Sequence, residues 1–308
     1  MRYRSNARLD TSGVQDRRGV SGGALAAGGG GLGVLGLLAV ILFQVIGGGG
    51  GTGGAGGPDL SALLGGLGSG QTADNTQLQA ECQTGEDANN KLDCAVVADI
   101  DSIQDYWTAQ LPVLGAQYQP TSTIFFKDSV QTACGAASSG TGPFYCPPDQ
   151  LVYIDLSFYE QLRTDFGAEG GLFVDAYVIA HEYGHHVQNL LGTNDRVTPG
   201  ESGPTSGSVR LELQADCYAG AWAHHATTTP DETGQPLIVE ITQDDIDRAL
   251  DAAGRIGDDF IQTNLGGGRV DEGSFTHGSS EQRRKWFTTG FQTGDPRRCD
   301  TFATNNLG

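Results

Sequence analysis

The stretch His181-Glu182-Tyr183-Gly184-His185 decides how the rest of this 308-residue chain is interpreted. Two histidines four residues apart lie on one face of an α-helix, so both imidazoles can point at one metal ion. The glutamate between them is placed to take a proton from water at that ion. Apolar residues at three- and four-residue spacing, without a proline, predict a helix over 170–192. The alternative is an amphipathic core helix with a solvated polar face.

A third metal ligand is expected on a second helix, which the apolar spacing predicts over 208–225. Glu212 and Asp216 are four residues apart, so they share a face that can look at the first helix. We assign Glu212 to the metal, together with the two histidines, and Asp216 to the outer N–H of His181. The alternative is a pair of solvated acids on a surface helix.

The H-E-x-x-H box followed by E-x-x-x-D resembles the gluzincin pattern of zinc peptidases. The chain is similar, more closely, to the bacterial membrane-tethered neutral zinc metallopeptidase family. The matching segments, in order, are DRRG at 16–19, GPFYCP at 142–147, VYID at 152–155, HEYGHHVQ at 181–188, ELQADC at 212–217 and HGSSEQR at 277–283. The resemblance implies a zincin-like domain, a Zn²⁺ cofactor and peptidase activity on a peptide or protein substrate. It does not identify that substrate.

The sequence upstream predicts a membrane anchor. Residues 1–23 are polar and arginine-rich, whereas residues 24–46 carry no charge. A helix of that length covers about 34 Å, enough to cross a hydrocarbon core of ~30 Å. Because the arginines precede the apolar segment, we predict a single-pass protein of the cell membrane with a cytoplasmic basic tail at 1–23 and an extracytoplasmic catalytic domain. A cleaved signal peptide and a buried helix are the alternatives.

A glycine-rich linker at 47–74 separates the predicted transmembrane helix from one predicted domain at 75–308. The whole chain has a net charge of −19, and residues 1–46 contribute five Arg and two Asp, or +3, which leaves −22 beyond them. Such an acidic surface argues against nucleic acid and anionic lipid as partners. The sequence does not determine the oligomeric state.

All six cysteines follow the apolar segment, which suggests disulfides in an oxidising compartment. We favour Cys82–Cys94 and Cys134–Cys146, which close short loops, and Cys217–Cys299, which would attach the C-terminal tail to the second ligand helix. Six cysteines allow fifteen pairings, and cysteine zinc ligands are the alternative.

The remaining pattern predicts an α+β fold that is predominantly helical, with a small sheet beside the active-site helix. Helices are predicted over 99–114, 157–166 and 243–265, the last with a cap at Thr242 and Asp245, and strands over 122–127 and 151–156. The VYID segment is either an edge strand above the active-site helix, able to pair with extended substrate, or an ordinary core strand.

Histidines outside the box divide into one candidate and several structural residues. His277 precedes a predicted helix start and could stabilise an oxyanion, or it could be a structural loop residue. Tyr183 and Tyr153 are weaker candidates for the same task. We interpret His186 as a structural residue or as a support for the metal ligands, and His224-His225 as capping residues at a helix end.

These residues predict a membrane-anchored zinc-dependent endopeptidase in which Glu182 is the general base. Two alternatives remain open. The domain could be a zinc-binding, membrane-tethered scaffold that cleaves nothing, or a zinc amidase that acts on cell-wall peptides.

Overall fold

A computed structural model of the protein describes residues 1–19 and 73–308, which form one mixed α+β unit. The strands are β1 Arg2–Tyr3, β2 Val14–Asp16, β3 Thr123–Phe126, β4 Ser129–Thr132, β5 Gly135–Ser138, β6 Phe144–Cys146, β7 Leu151–Asp155 and β8 Ile238–Glu240. The helices are α1 Thr76–Glu81, α2 Gly85–Asn90, α3 Leu92–Gln110, α4 Phe158–Thr164, α5 Leu172–Leu190, α6 Gly207–His225, α7 Gln243–Arg255, α8 Asp258–Asn264 and α9 Ser280–Thr293. The α+β prediction is confirmed.

The main sheet has the strand order β2-β3-β7-β6, with β2, β3 and β7 parallel and β6 antiparallel to β7. The strand that carries the VYID segment, β7, therefore lies inside the sheet, and the edge-strand hypothesis is wrong for it. The edge nearest the active-site helix is β6, whose Tyr145 hydroxyl lies 3.0 Å from the ring of His186 on α5.

The helical core is built on α5, which packs against α3 and α6, while α9 packs against α6 and also brings Phe287 and Arg283 to Tyr177 on α5. Glycines permit the close contact of α6 with α9. A Cβ atom at Gly290 would overlap the backbone oxygen of Cys217, and one at Gly220 would overlap the backbone oxygen of Phe287. Because backbone atoms cannot move aside as a flexible side chain can, the two helices can reach this distance only with glycine at both positions.

We expect Gly290→Ala to lower the free energy of unfolding by about 3 kcal/mol, the upper part of the usual range for overpacking a core. Urea denaturation of the variant and the parent measures this difference. Gly140→Ala is the control, because a Cβ there has no neighbour closer than 3.8 Å. Equal stabilities for the Gly290 variant and the parent would contradict the close contact of α6 with α9.

Residues 1–19 belong to the domain. Strand β1 pairs with β8, strand β2 extends the main sheet through β3, and the Tyr3 and Val14 side chains are buried in the core. The predicted separate tail at 1–23 is therefore wrong for residues 1–19. The predicted transmembrane helix at 24–46, and the linker as far as residue 72, lie outside the described residues. Among the described helices, none combines the length and the hydropathy that a membrane span requires.

The predicted helix over 243–265 is two helices. The apolar stripe continues in phase through both, but α7 ends at Arg255 and α8 starts at Asp258. Between them Gly257 is extended and lies against the backbone of Ser280 at the start of α9. The Ser280 hydroxyl also donates to the Gly254 carbonyl, at 2.6 Å. The chain turns here because α9 packs against it, which local sequence does not show. The cap at Thr242 and Asp245 is confirmed.

The cysteines form the three predicted disulfides, Cys82–Cys94, Cys134–Cys146 and Cys217–Cys299. The third holds the C-terminal segment against α6, as expected. Since every cysteine is paired, no thiolate is left to bind zinc.

Candidate metal centre

Two helices bring three side chains to one point. The Nε2 atom of His181 lies 3.2 Å from one carboxylate oxygen of Glu212, and the Nε2 atom of His185 lies 3.4 Å from the other. One ligand atom from each residue lies within 4.8 Å of the others. A tetrahedral Zn²⁺ with bonds of about 2.0–2.1 Å separates its ligand atoms by roughly 3.3 Å. The spacing therefore fits zinc and leaves a coordination position for water or substrate.

The close approach of α5 and α6 depends on a small residue in each helix. A Cβ atom added at Gly184 would lie 3.0 Å from the Cα atom of Ala215 and 3.1 Å from its backbone oxygen. Gly184 stands between His181 and His185, and Ala215 stands between Glu212 and Asp216. The small pair thus allows the carboxylate of one helix to reach the imidazoles of the other.

Asp216 holds His181, as the sequence predicts. Its Oδ1 atom lies 2.9 Å from His181 Nδ1 and accepts a hydrogen bond from the Tyr177 hydroxyl at 2.6 Å. Arg283 on α9 donates to both carboxylate oxygens, at 2.9 and 3.0 Å. Burial alone would raise the pKa of the Asp216 carboxyl, but the charges of Arg283 and His181 lower it. Asp216 is therefore an anion that fixes the N–H of His181 on the side away from the metal.

The electrostatics of the centre favour a positive charge. Burial would lower the pKa of His181, yet the carboxylates of Asp216 and Glu212 raise it to about 10. Burial would likewise raise the pKa of Glu212, but His185 and His181 hold it well below its usual range. The buried carboxylate that faces both imidazoles therefore remains an anion, which is the charge state that binds a divalent cation.

Glu182 lies beside this cluster without belonging to it. Its side chain lines the same cavity and is almost completely buried. Burial raises the pKa of its carboxyl, and the neighbouring His181 and His185 oppose that effect. A carboxylate with a raised pKa accepts protons more readily at neutral pH, which suits a general base.

The cavity has a volume of about 480 Å³ and is lined by both apolar and polar side chains. On α5, Val178 lies one turn before His181, and Asn189 lies one turn after His185. Other apolar lining residues are Phe158, Phe166, Ile256 and Ile261, and other polar ones are Thr141, Asn194 and Asp195. The edge strand β6 contributes Phe144 and Tyr145 to the wall. The three candidate ligands thus line a cleft that is large enough for amino-acid side chains.

His277 lines the same cavity and is held by Asp258 on α8. The Asp258 carboxylate lies 3.3 Å from His277 Nδ1 and accepts the backbone N–H groups of Thr276, His277 and Gly278. Burial would lower the pKa of His277, but Asp258 and Glu212 raise it. The sequence did not point to Asp258, because its contact with His277 depends on the turn between α8 and α9.

The other candidates lie outside the cavity. Tyr183 is a core residue whose hydroxyl pairs with Thr123, and Tyr153 donates to Asp149 at 2.8 Å. Neither can reach a substrate at the metal centre, so both weaker hypotheses are wrong. Of the two roles predicted for His186, the structure favours the structural one, since its ring nitrogens bond the Tyr145 hydroxyl at 3.0 Å and the Gln119 carbonyl at 2.7 Å. The pair His224-His225 bonds carbonyls at the end of α9 rather than of its own helix.

Comparison with known proteins agrees with this geometry. Over 230 residues the chain is 49% identical to the uncharacterized protein Rv2575 of Mycobacterium tuberculosis, covering 74% of this chain and 77% of that protein. It is 42% identical over 244 residues to the uncharacterized protein YpfJ of Escherichia coli K12, covering 78% and 80%. No solved structure matches the chain. The sequence model of the family described as "Putative neutral zinc metallopeptidase" matches residues 1–302, and the chain therefore belongs to that family.

Proposed function

We propose that the protein is a zinc-dependent endopeptidase that hydrolyses internal bonds of peptides or proteins. The observation that carries the proposal is the convergence of His181, His185 and Glu212, with Glu182 in the same cavity and outside the ligand set. A metal-binding scaffold needs the three ligands alone. It has no need of a second buried carboxyl group, that of Glu182, with a raised pKa in a cleft of peptide-binding size.

The chain's own residues supply proton transfer and charge stabilisation. Zinc, when bound by the three ligands, supplies a Lewis acid that lowers the pKa of water and polarises a carbonyl group. Glu182 takes the proton of the attacking water and later delivers it to the leaving amine. His277, whose pKa is raised by Asp258 and Glu212, donates a hydrogen bond to the carbonyl oxygen as negative charge develops there.

We expect His277→Ala to lower kcat by about 100-fold, the usual loss on removing one oxyanion donor, without changing the zinc content. Steady-state kinetics and metal analysis of the purified variant measure both quantities. His224→Ala is the control, because that exposed histidine bonds the Phe291 carbonyl on α9 and does not line the cavity. If His277→Ala had the same kcat as the parent protein, His277 would be a structural loop residue.

The activity itself is tested by a peptide-library cleavage assay with and without a zinc chelator. We expect cleavage that the chelator abolishes and added zinc restores. Zinc-loaded protein that cleaves no peptide would support the scaffold instead. Cleavage confined to cell-wall peptides, read from a product map, would support the amidase.

The expected partners follow from the same features. The cleft is proposed to bind an extended segment of a peptide or protein, and the acidic composition is unsuited to nucleic acid. Attachment to a membrane through residues 24–46 stays a prediction.

A further inference from the structure

The second metal-binding histidine is held by a chain of two buried glutamines. The Nδ1 atom of His185 lies 2.8 Å from the Oε1 atom of Gln188, one turn further along α5. The Nε2 atom of Gln188 donates to the Leu211 carbonyl at 2.7 Å and to Oε1 of Gln214 at 3.2 Å. The Nε2 atom of Gln214 donates in turn to the Cys299 carbonyl, at 2.9 Å. Gln188 and Gln214 are both almost completely inaccessible to solvent.

The backbone carbonyls of Cys299 and Leu211 fix the direction of every hydrogen bond between these glutamines and His185. A backbone carbonyl can only accept, so the NH₂ group of Gln214 must face Cys299 and its oxygen must face Gln188. The NH₂ group of Gln188 must then face Leu211 and Gln214, which turns its oxygen to His185. An amide oxygen only accepts, so Nδ1 of His185 must carry the proton. In the neutral imidazole, the Nε2 atom then carries the free lone pair, on the side of Glu212.

We propose that Gln188 and Gln214 are positioning residues that hold His185 in its metal-binding tautomer and orientation. They orient His185 through neutral amide groups, as Asp216 orients His181 through a charged carboxylate. Their outer anchor is the C-terminal turn that the Cys217–Cys299 disulfide fastens to α6. The proposal rests on the metal centre of the proposed function, and it is independent of whether a peptide is cleaved.

The test is the zinc affinity of full-length Gln188→Met, measured by competition with a chromophoric chelator. Methionine keeps the approximate volume of the side chain and removes its three hydrogen bonds, to His185, Leu211 and Gln214. We expect the affinity to fall about 10- to 100-fold, the usual effect of losing the outer partner of a ligand histidine. Gln214→Met removes the hydrogen bonds to Gln188 and Cys299 but leaves the one between Gln188 and His185, so we expect a smaller loss of zinc affinity. Gln282→Met is the control, because that glutamine is equally buried and makes its hydrogen bonds away from the ligands.

Proton NMR of the zinc-loaded proteins separates positioning from packing. In the parent, the Nδ1–H protons of His181 and His185 should both exchange slowly with water. In Gln188→Met the His185 signal should be lost while the His181 signal remains. Parental affinity and two slowly exchanging protons in Gln188→Met would overturn the proposal, and parental affinity in Gln214→Met would overturn the part played by Gln214. Absence of zinc binding in the parent would instead overturn the proposed metal centre.

Side-chain contacts hold residues 1–19 in the domain. Asn89 on α2 clamps the backbone of Tyr3, donating to its carbonyl at 3.0 Å and accepting its N–H at 2.9 Å. The Tyr3 hydroxyl is buried and donates to Asp99 on α3, at 2.8 Å. Arg4 forms an ion pair of 2.5 Å with Asp231. These contacts add to the strand pairings of β1 and β2, so the segment is a folded part of the domain.

We infer that residues 1–19 and 73–308 occupy the same compartment. A chain that crossed a membrane once between residues 19 and 73 would place them on opposite sides, and the two strand pairings could not form. The inference therefore opposes the orientation expected from the arginines, with the tail in the cytoplasm and the domain outside.

The test uses two single variants of the full chain, Arg2→Cys and Glu240→Cys, in intact cells. These residues face each other across β1 and β8, their side chains are 62% and 50% exposed, and every native cysteine is in a disulfide. A membrane-impermeant maleimide should label both variants or neither, and both should react after permeabilisation. Labelling of one and protection of the other in intact cells would overturn the inference.

Discussion

Glu182→Gln is expected to lower kcat by about 10³-fold while the zinc content of the protein stays unchanged. The amide has the size of the carboxyl group but cannot take a proton from water. Because Glu182 does not belong to the ligand cluster, its replacement leaves His181, His185 and Glu212 in place. Loss of the negative charge should also leave the fold intact, since the buried carboxyl already carries a desolvation cost that raises its pKa.

The measurement is steady-state hydrolysis of a peptide identified in the library assay, with zinc determined on the same samples. Glu160→Gln is the matched control, because that glutamate is exposed on α4, where it forms an ion pair with Arg163. It should keep parental activity. A Glu182→Gln protein that binds zinc and cleaves at the parental rate would contradict the assignment of the general base.

Removing the carboxylate ligand should have the largest effect on metal binding. In Glu212→Gln a neutral amide replaces the anion that lies 3.2 and 3.4 Å from the two imidazoles. We expect zinc affinity to fall well beyond the roughly 10- to 100-fold that loss of an outer partner causes. Asp216→Asn, which changes only the outer partner of His181, should fall within that range. Glu212→Gln should therefore lose more zinc affinity than Asp216→Asn, and activity at limiting zinc should fall in the same order.

Chelator competition on both variants and the parent measures the ranking. Glu281→Gln, an exposed glutamate in the first turn of α9, is the control and should bind zinc like the parent. Equal zinc affinity in Glu212→Gln and the parent would remove Glu212 from the ligand set. A larger loss in Asp216→Asn than in Glu212→Gln would exchange the roles of the two carboxylates.

The part of the metal centre that local sequence could predict is the part that depends on helical periodicity. His181 and His185, like Glu212 and Asp216, are one turn apart on a helix, so their shared faces follow from their spacing. The helix bounds followed from the same apolar spacing, and the pairing of the two helices followed from the need for a third ligand.

The contacts that local sequence could not predict join residues far apart in the chain. Arg283 meets Asp216 across 67 residues, and Gln214 meets Cys299 across 85. Such pairs depend on how α9 and the C-terminal segment pack on α6, which no local pattern records. Strands β1 and β2 have two and three residues, too few for an alternating pattern to stand out from a polar tail. The arginines around these short strands therefore predict a polar tail and not a part of the sheet.

The most direct test of the account is a crystal structure of the zinc-loaded protein, with the ion located by anomalous diffraction at the zinc edge. The account predicts one ion bonded to Nε2 of His181, Nε2 of His185 and the carboxylate of Glu212, at about 2.0–2.2 Å from each. An ion bound elsewhere, or a centre at these three residues that takes up no zinc, would contradict it.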